Sequence, residues 1–380
     1  MNPKKTIIIT RSSGVDPDWR VEKQANLLAG DYGIKVLCWD RERKSKKFEK
    51  KDNYTIYRCQ IKGKYSGGLK NMFFLFIWWI YEFFWLLKTP FDIVHACDFD
   101  TYLPALIVTK LKRKKVIYDM IDFYSDMVPV PDFLKNIIKK IDLFLIQFAD
   151  GVIIVDDNRK NQIAGSRPKR LIVIYNTPQD LYEKFKSNIK ELLSSSTFIL
   201  GYIGIIAEDR GCDTLIKIVS EMPEIIFILG GFSFTESEKD IREKVKNIPN
   251  IKFIGKISSC ERISEIFSKC DAIFTLYDPK VPINKYSSPT KIFEAMMLGK
   301  SLVVSKGTSM DKIIDRYKCG IIVDHDNEAQ IKKAILELIS IKKKGNNFYG
   351  ENGRKAYMDV FHNDIMKERL LDLCSDILGN

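Results

Sequence analysis

Histidine is scarce in this chain, with three residues in 380 (His95, His325 and His362), and none of its eight cysteines forms a C-x-x-C pair. Cys38, Cys59, Cys97, Cys212, Cys260, Cys270, Cys319 and Cys374 fall mostly in apolar runs or helical patterns. Structural zinc sites and disulfide frameworks are built on closer or paired spacing, so buried free thiols in a reducing compartment are expected. The N-terminus, MNPKKTIIIT, runs straight into a strand-like stretch, not into the apolar core and small-residue cleavage site of a signal peptide. A cytoplasmic protein is expected. Low-complexity tracts, zinc-finger spacing, RNP-like aromatic motifs and a basic zipper are all missing, and no segment reads as an Asp-x-Asp metal site.

What the chain does have is basic charge, unevenly spread. The net charge is +12, and residues 1–184 hold 32 Lys and Arg against 22 Asp and Glu, whereas the remainder holds 29 against 27. A surplus of this kind attracts polyanions, either nucleic acid or an anionic membrane leaflet. Without a nucleic-acid motif, no nucleic-acid partner is expected.

At 380 residues the chain suits two domains. Short β-branched runs recur at 6–10, 35–40, 54–61, 91–97, 114–120, 151–156 and 171–176, and again at 198–204, 224–231, 251–257, 271–277, 301–305 and 320–324. Most have three or four consecutive apolar residues, the mark of parallel strands covered on both faces. Helical periodicity fills the gaps, as in VEKQANLLAG (21–30), and the pattern lapses at 177–197, which reads as a linker. Two doubly wound α/β domains are predicted, over 1–180 and 181–350, with a helical segment at 351–380 packing back on the first.

The segment 72–87, MFFLFIWWIYEFFWLL, is sixteen residues with one charge, Glu82. That falls short of the ~20 residues needed to cross a bilayer. It reads either as a buried helix or as an aromatic helix at a membrane interface, flanked by Lys62, Lys64, Lys70 and Lys88. The basic stretch 41–51, RERKSKKFEKK, is either a solvated loop or part of the same surface. Together they suggest peripheral contact with the inner face of the cell membrane.

The strongest local signal is SPTKIFEAMMLGK (288–300), where a Pro-containing loop feeds a helix N-terminus. Unpaired backbone N–H groups and the positive end of the helix dipole suit a diphosphate there. Ser288 and Thr290 can add hydroxyl donors or cap the helix, Lys291 adds positive charge, and Glu294 is placed to accept from ribose hydroxyls. An ordinary capped helix would carry the same pattern.

This block resembles the donor-site helix of glycosyltransferase family 4, retaining enzymes of the two-domain GT-B fold. Further segments resemble that family in its order: 16–41, 93–126, 202–218 and 251–276. The resemblance implies two facing Rossmann-like domains with a central cleft, the first taking the acceptor and the second a nucleotide diphosphate sugar. It implies that Gly204 is the turn where backbone approaches the donor phosphates. Arg210 and Lys291 would hold the departing diphosphate, and Glu294 the ribose. Gly14, after the first strand, either lets an acceptor or donor phosphate approach or is a plain loop glycine, and Arg20 would bind an acceptor phosphate or pair with Asp16 or Asp18. Three positions depart from the family pattern. Tyr286 stands where the first Glu of its E-x7-E motif belongs, Ile205 where a basic residue often follows the glycine, and Ile121 where its sugar-side His belongs, leaving Asp122 and Asp119 as nearby carboxylates. The implied activity is metal-independent, retaining transfer of a sugar from a UDP- or GDP-linked donor to a hydroxyl of a lipid-linked saccharide or surface glycan, with no cofactor. Asp122, Arg210 and Lys291 are the catalytic candidates. A non-catalytic nucleotide-sugar-binding subunit and an epimerase of the same fold are the alternatives.

Overall fold

In a computed structural model of the chain, residues 4–15, 18–63, 69–128 and 130–379 are described, without the side chains of 69–72 and 194. Asp16, Lys64 and the side chain of Lys70 thus lie outside the described residues. The chain falls into two compact units, Met1–Tyr175 with Met366–Asn380, and Asn176–Ile365.

In the first unit the strands are Thr6–Arg11 (β1), Gly33–Trp39 (β2), Phe48–Lys50 (β3), Tyr54–Cys59 (β4), Ile93–Cys97 (β5), Lys115–Met120 (β6), Gly151–Ile154 (β7) and Leu171–Val173 (β8). They form one sheet in the order β3-β4-β2-β1-β5-β6-β7-β8, parallel throughout except for β3 against β4. Runs such as IIIT in β1 and IVHAC in β5 are buried because helices cover both sheet faces. The helices that matter here are Trp19–Leu28 (α1), Leu69–Lys88 (α2), Phe99–Leu111 (α3) and Asp132–Leu145 (α4). Asp18 caps α1, accepting from the backbone N–H of Val21 at 3.2 Å.

The second unit repeats the theme with Phe198–Ile205 (β9), Ile225–Phe232 (β10), Ile251–Phe253 (β11), Ala272–Thr275 (β12), Ser301–Ser305 (β13) and Gly320–Val323 (β14). All pairings are parallel, in the order β11-β10-β9-β12-β13-β14. Numbered within the unit this is 3-2-1-4-5-6, the doubly wound order, with its switch point between β9 and β12. The first unit has its corresponding switch between β1 and β5. Cys212–Ser220 (α5) follows β9, and Thr290–Met297 (α6) lies between β12 and β13.

Three local readings change. The basic stretch 41–51 contains β3, an antiparallel edge strand whose charged sequence FEK hides it. The supposed linker at 177–197 is partly helical, over Lys186–Ser194, because Ile189 and Leu192 are buried three residues apart on one helical face. The final helical pattern is broken in two. A π turn at Tyr357–Phe361 separates Phe348–Ala356 from Asn363–Leu378 (α7), with extended backbone at His362. Helix α7 packs on the first sheet, its Leu373 and Ile377 so close to Gly151 that a Cβ there would lie 2.9 and 2.8 Å from them.

Candidate functional site

The second unit gathers its candidate residues at the β9/β12 switch point, beyond the carboxyl ends of the strands. Gly204 pairs in register with Gly231 of β10, whose φ is +130°. A Cβ on Gly231 would lie 1.7 Å from the carbonyl oxygen of Gly204, so a side chain is excluded there. On its other side Gly204 meets Lys291: a Cβ on Gly204 would stand 2.7 Å from Nζ. The lysine, in the first turn of α6, lies 4.0 Å over the ring centroid of Tyr202 and 5.6 Å from that of Tyr277. Its ammonium is buried and makes no hydrogen bond.

Arg210 ends a single 3-10 turn, Glu208–Arg210, and Gly211 follows at φ +66°, where a Cβ would clash with Leu276. Its guanidinium stacks 3.9 Å over the centroid of Tyr277. Nε is 3.4 Å from Asp209 Oδ2 but lacks a hydrogen bond. Asp209 is held in place by Asn284, which donates to it from Nδ2 at 2.8 Å. Two cations thus share one aromatic ring, at one glycine turn. Lys291 is buried without a hydrogen-bond partner, a state native proteins rarely leave unanswered, while half-buried Arg210 has Asp209 beside it at 3.4 Å.

Burial dominates the protonation of this cluster. It pushes the Lys291 ammonium down to about 8, reinforced by Arg210 and opposed by Cys212 and Glu294. It pushes the Glu294 carboxyl up to about 8, opposed by Lys291. Thr290 starts α6 with no side chain capping the helix, since Pro289 holds the cap position. Ser288 is buried with an unpartnered Oγ. Uncapped N–H groups, a free hydroxyl and two cations make a site for a small polyanion.

The first unit assembles a different cluster at the ends of β1, β5 and β6. Asp119 is fully buried and receives Arg20 Nη2 at 2.6 Å, Gln24 Nε2 at 2.8 Å and His95 Nε2 at 3.1 Å. Burial alone would raise this carboxyl, but Arg20 and His95 together hold it well below the usual carboxylate range. Arg20 therefore pairs with Asp119, while Asp18 pairs with Arg11 at 2.9 Å. Asp98 stands at φ +64°, unusual for a non-glycine residue. It binds Arg11 through Oδ2 and accepts from the backbone N–H groups of Ile121 and Asp122 at 2.9 and 3.1 Å through Oδ1. Asp98-Phe99-Asp100 has the Asp-x-Asp spacing that the sequence reading passed over, but its carboxylates turn to protein partners, Asp100 to Ser12. His95, Cys97 and Asp119 place ligand-type atoms within 4.8 Å of one another, yet Asp119 is already engaged by Arg20, Gln24 and His95. Asp122 is one-third exposed and paired with buried Arg159 at 2.8 Å. Gly14 lies in the coil after β1.

Residues 183–356 match the family model described as glycosyl transferases group 1. These residues form a group 1 glycosyl transferase domain. It contains Gly204, Arg210, Ser288, Thr290, Lys291 and Glu294, together with the whole six-stranded sheet. An uncharacterized glycosyltransferase of Methanocaldococcus jannaschii is 27% identical over 358 residues, 84% of each chain. The alpha-galactosylglucosyldiacylglycerol synthase of Streptococcus pneumoniae is 23% identical over 305 residues, 73% of this chain and 77% of that one. Among solved structures, Anabaena HepE in complex with UDP-glucose aligns with a TM-score of 0.69 at 16% identity, covering 98% of this chain and 99% of that one. With its two Rossmann-like units the chain has the GT-B fold.

The cluster around Lys291 and Arg210 also contains residues that the sequence reading did not single out: Tyr202, Tyr277, Gly231 and Asn284. Gly231 had a visible signal, a glycine pair closing a strand; the two tyrosines look like any core aromatic of a strand.

Proposed function

We propose that this chain is a retaining glycosyltransferase, moving a sugar from a nucleotide diphosphate sugar to a hydroxyl of a lipid-linked saccharide or surface-glycan precursor. The observation that carries the proposal is the buried, unpartnered ammonium of Lys291 set against Gly204, with Arg210 sharing the ring of Tyr277. In this reading the diphosphate lies between Lys291, Arg210, the N–H groups of α6 and the backbone of Gly204. Ser288 and Thr290 add hydroxyl donors, and Glu294 takes the ribose. As the glycosidic bond to the donor breaks, negative charge gathers on the leaving diphosphate, where the two cations stabilise it without a metal ion.

UDP is favoured over GDP as the donor base, because HepE was solved with UDP-glucose. A lipid-linked acceptor agrees with the name of the streptococcal relative, a synthase of a glycosyl diacylglycerol. Stretches 41–51 and 72–87 would hold the protein at the inner face of the membrane. Among the described residues no helix is long and apolar enough to cross one.

Thermal-shift and transfer assays with UDP- and GDP-sugars test the proposal, with and without a chelator. Indifference to every nucleotide would sink it, and chelator-sensitive turnover would remove its metal-independent part. One second reading has an observation behind it. Ile121 is apolar and Asp122 is tied to Arg159, which agrees with a subunit that binds the donor without turning it over. Binding without transfer under every acceptor condition would favour that reading.

A further inference from the structure

One face of the first sheet is covered by a single layer of helices, α2, α3 and α4, packed inward through Trp78, Leu86, Tyr102, Leu106 and Val108 and the turn after α4 at Ile146. The outer side of that layer is apolar as well. Along α4 and that turn, Phe133, Ile137, Ile141, Phe144 and Phe148 follow intervals of four, four, three and four, one continuous helical stripe. The stripe faces outward: Phe133 is 64% exposed and Phe144 59%. On α2 the same is true of Phe73, Phe76, Ile80, Phe84 and Leu87. Ile107 and Leu111 of α3 join the two, and an open groove runs between them and Leu145 and Phe148. The edge strand β3 extends the face through Phe48, whose ring lies 5.2 Å from Tyr57, itself 5.2 Å from Trp85 of α2.

A helix layer apolar on both sides calls for a second apolar partner. Charge says which. Lys88, Lys110 and Lys140 are exposed along these helices, and Lys110 lines the groove, whereas Lys139 turns its ammonium over the buried ring of Phe123. Their acids are buried at Glu82, Asp100 and Asp142, so Asp132 is the exposed carboxylate among the described residues of the layer. Protein interfaces are depleted in lysine, whereas phenylalanine and isoleucine beside lysine suit an anionic headgroup region.

We infer that this face docks on an anionic lipid bilayer, with α4 lying in the interface plane. The inference deepens the membrane part of the reading above and rests on that part, not on the donor chemistry. It assigns the main contact to α4, which the sequence reading did not single out.

Co-sedimentation of the full chain with vesicles tests it, comparing pure phosphatidylcholine with a mixture containing phosphatidylglycerol. The expected result is retention on the anionic vesicles alone, weakened by salt. Lys110→Ser with Lys140→Ser should lower partitioning about 25-fold, at about fivefold per lysine. Ile137→Ser with Ile141→Ser should release the protein, while its thermal shift with UDP stays at the wild-type value, which also shows that the variant is folded. The inference is overturned if wild-type protein stays in the supernatant with both vesicle types. It is equally overturned if the face instead closes a concentration-dependent dimer that Ile141→Ser dissociates. Loss of UDP response without loss of vesicle binding would count against the donor site alone.

Discussion

The ammonium of Lys291 fills the space in which Gly204 would carry a side chain, 2.7 Å from where a Cβ would sit. The two residues come from different elements, the end of β9 and the start of α6, and meet at the switch point of the sheet. The cation rests on the faces of Tyr202 and Tyr277 and has no hydrogen bond. In the proposed function this is where the donor diphosphate binds.

Gly204→Ala tests that relationship at small structural cost. The clash falls on the far end of a flexible side chain, so Nζ can retreat and the melting temperature should change little. The retreat removes the cation from the diphosphate, and affinity for UDP should fall tenfold or more, about 1.4 kcal/mol, by titration calorimetry.

Lys291→Met should separate stability from binding. The lysine titrates at about 8 in the fold and 10.5 as a free side chain, so burial disfavours its charged form. That penalty is fully present below pH 8 and vanishes as pH rises past 10.5. Removing the charge should stabilise the unliganded protein at pH 7 by about 2 kcal/mol while abolishing nucleotide binding. Urea unfolding and calorimetry on the same sample read both effects. In the wild type, nucleotide affinity should weaken as pH rises above about 8, because the bound anion requires the protonated lysine.

Asp119→Asn should destabilise the first unit by about 3–5 kcal/mol, because it breaks the buried ion pair that Asp119 makes with Arg20 at 2.6 Å. Asp119 has a folded pKa below its unfolded value of 3.8. Its contribution is therefore complete at neutral pH and is lost as pH falls below about 4. Chemical denaturation at pH 7 and pH 3.5 checks this, since the difference between wild type and variant should shrink at the lower pH.

Glu82→Leu should do the reverse. Its carboxyl is fully buried with neither oxygen hydrogen-bonded, and burial pushes it well above its ordinary 4.5, with Asp100 adding to the rise and Thr10 and Trp78 opposing it. Wild-type stability from this group falls as pH rises above about 4.5, so the substitution should stabilise by about 2 kcal/mol at pH 8 and by less at pH 4. Thermal melts at the two pH values provide the comparison.

The parallel strands were legible in the sequence because strands covered on both faces must be apolar over consecutive residues, as in IIIT of β1 and SLVVS of β13. β3 was not, because an edge strand beside solvent can be charged, and KFEK looks like loop. In the site, Gly204, Arg210, Lys291 and Glu294 stood in a recognisable order. Their common aromatic floor did not, since Tyr202 and Tyr277 become neighbours only when β9 and β12 lie side by side. The partners of Arg20 and Asp122 were also out of reach. Asp119 and Arg159 are 99 and 37 residues away in the chain, and nothing in spacing links them. The amphipathic stripe of α4 was readable by period alone but lay behind the more conspicuous aromatic run of α2.

The most direct test of the donor site is titration calorimetry of UDP and GDP into wild-type protein, Arg210→Ala and Glu294→Ala at pH 7. The account requires saturable binding of at least one nucleotide to the wild type, lost or weakened at least tenfold in both variants. Absence of binding to the wild type, or binding unchanged by Arg210→Ala and Glu294→Ala alike, would contradict it.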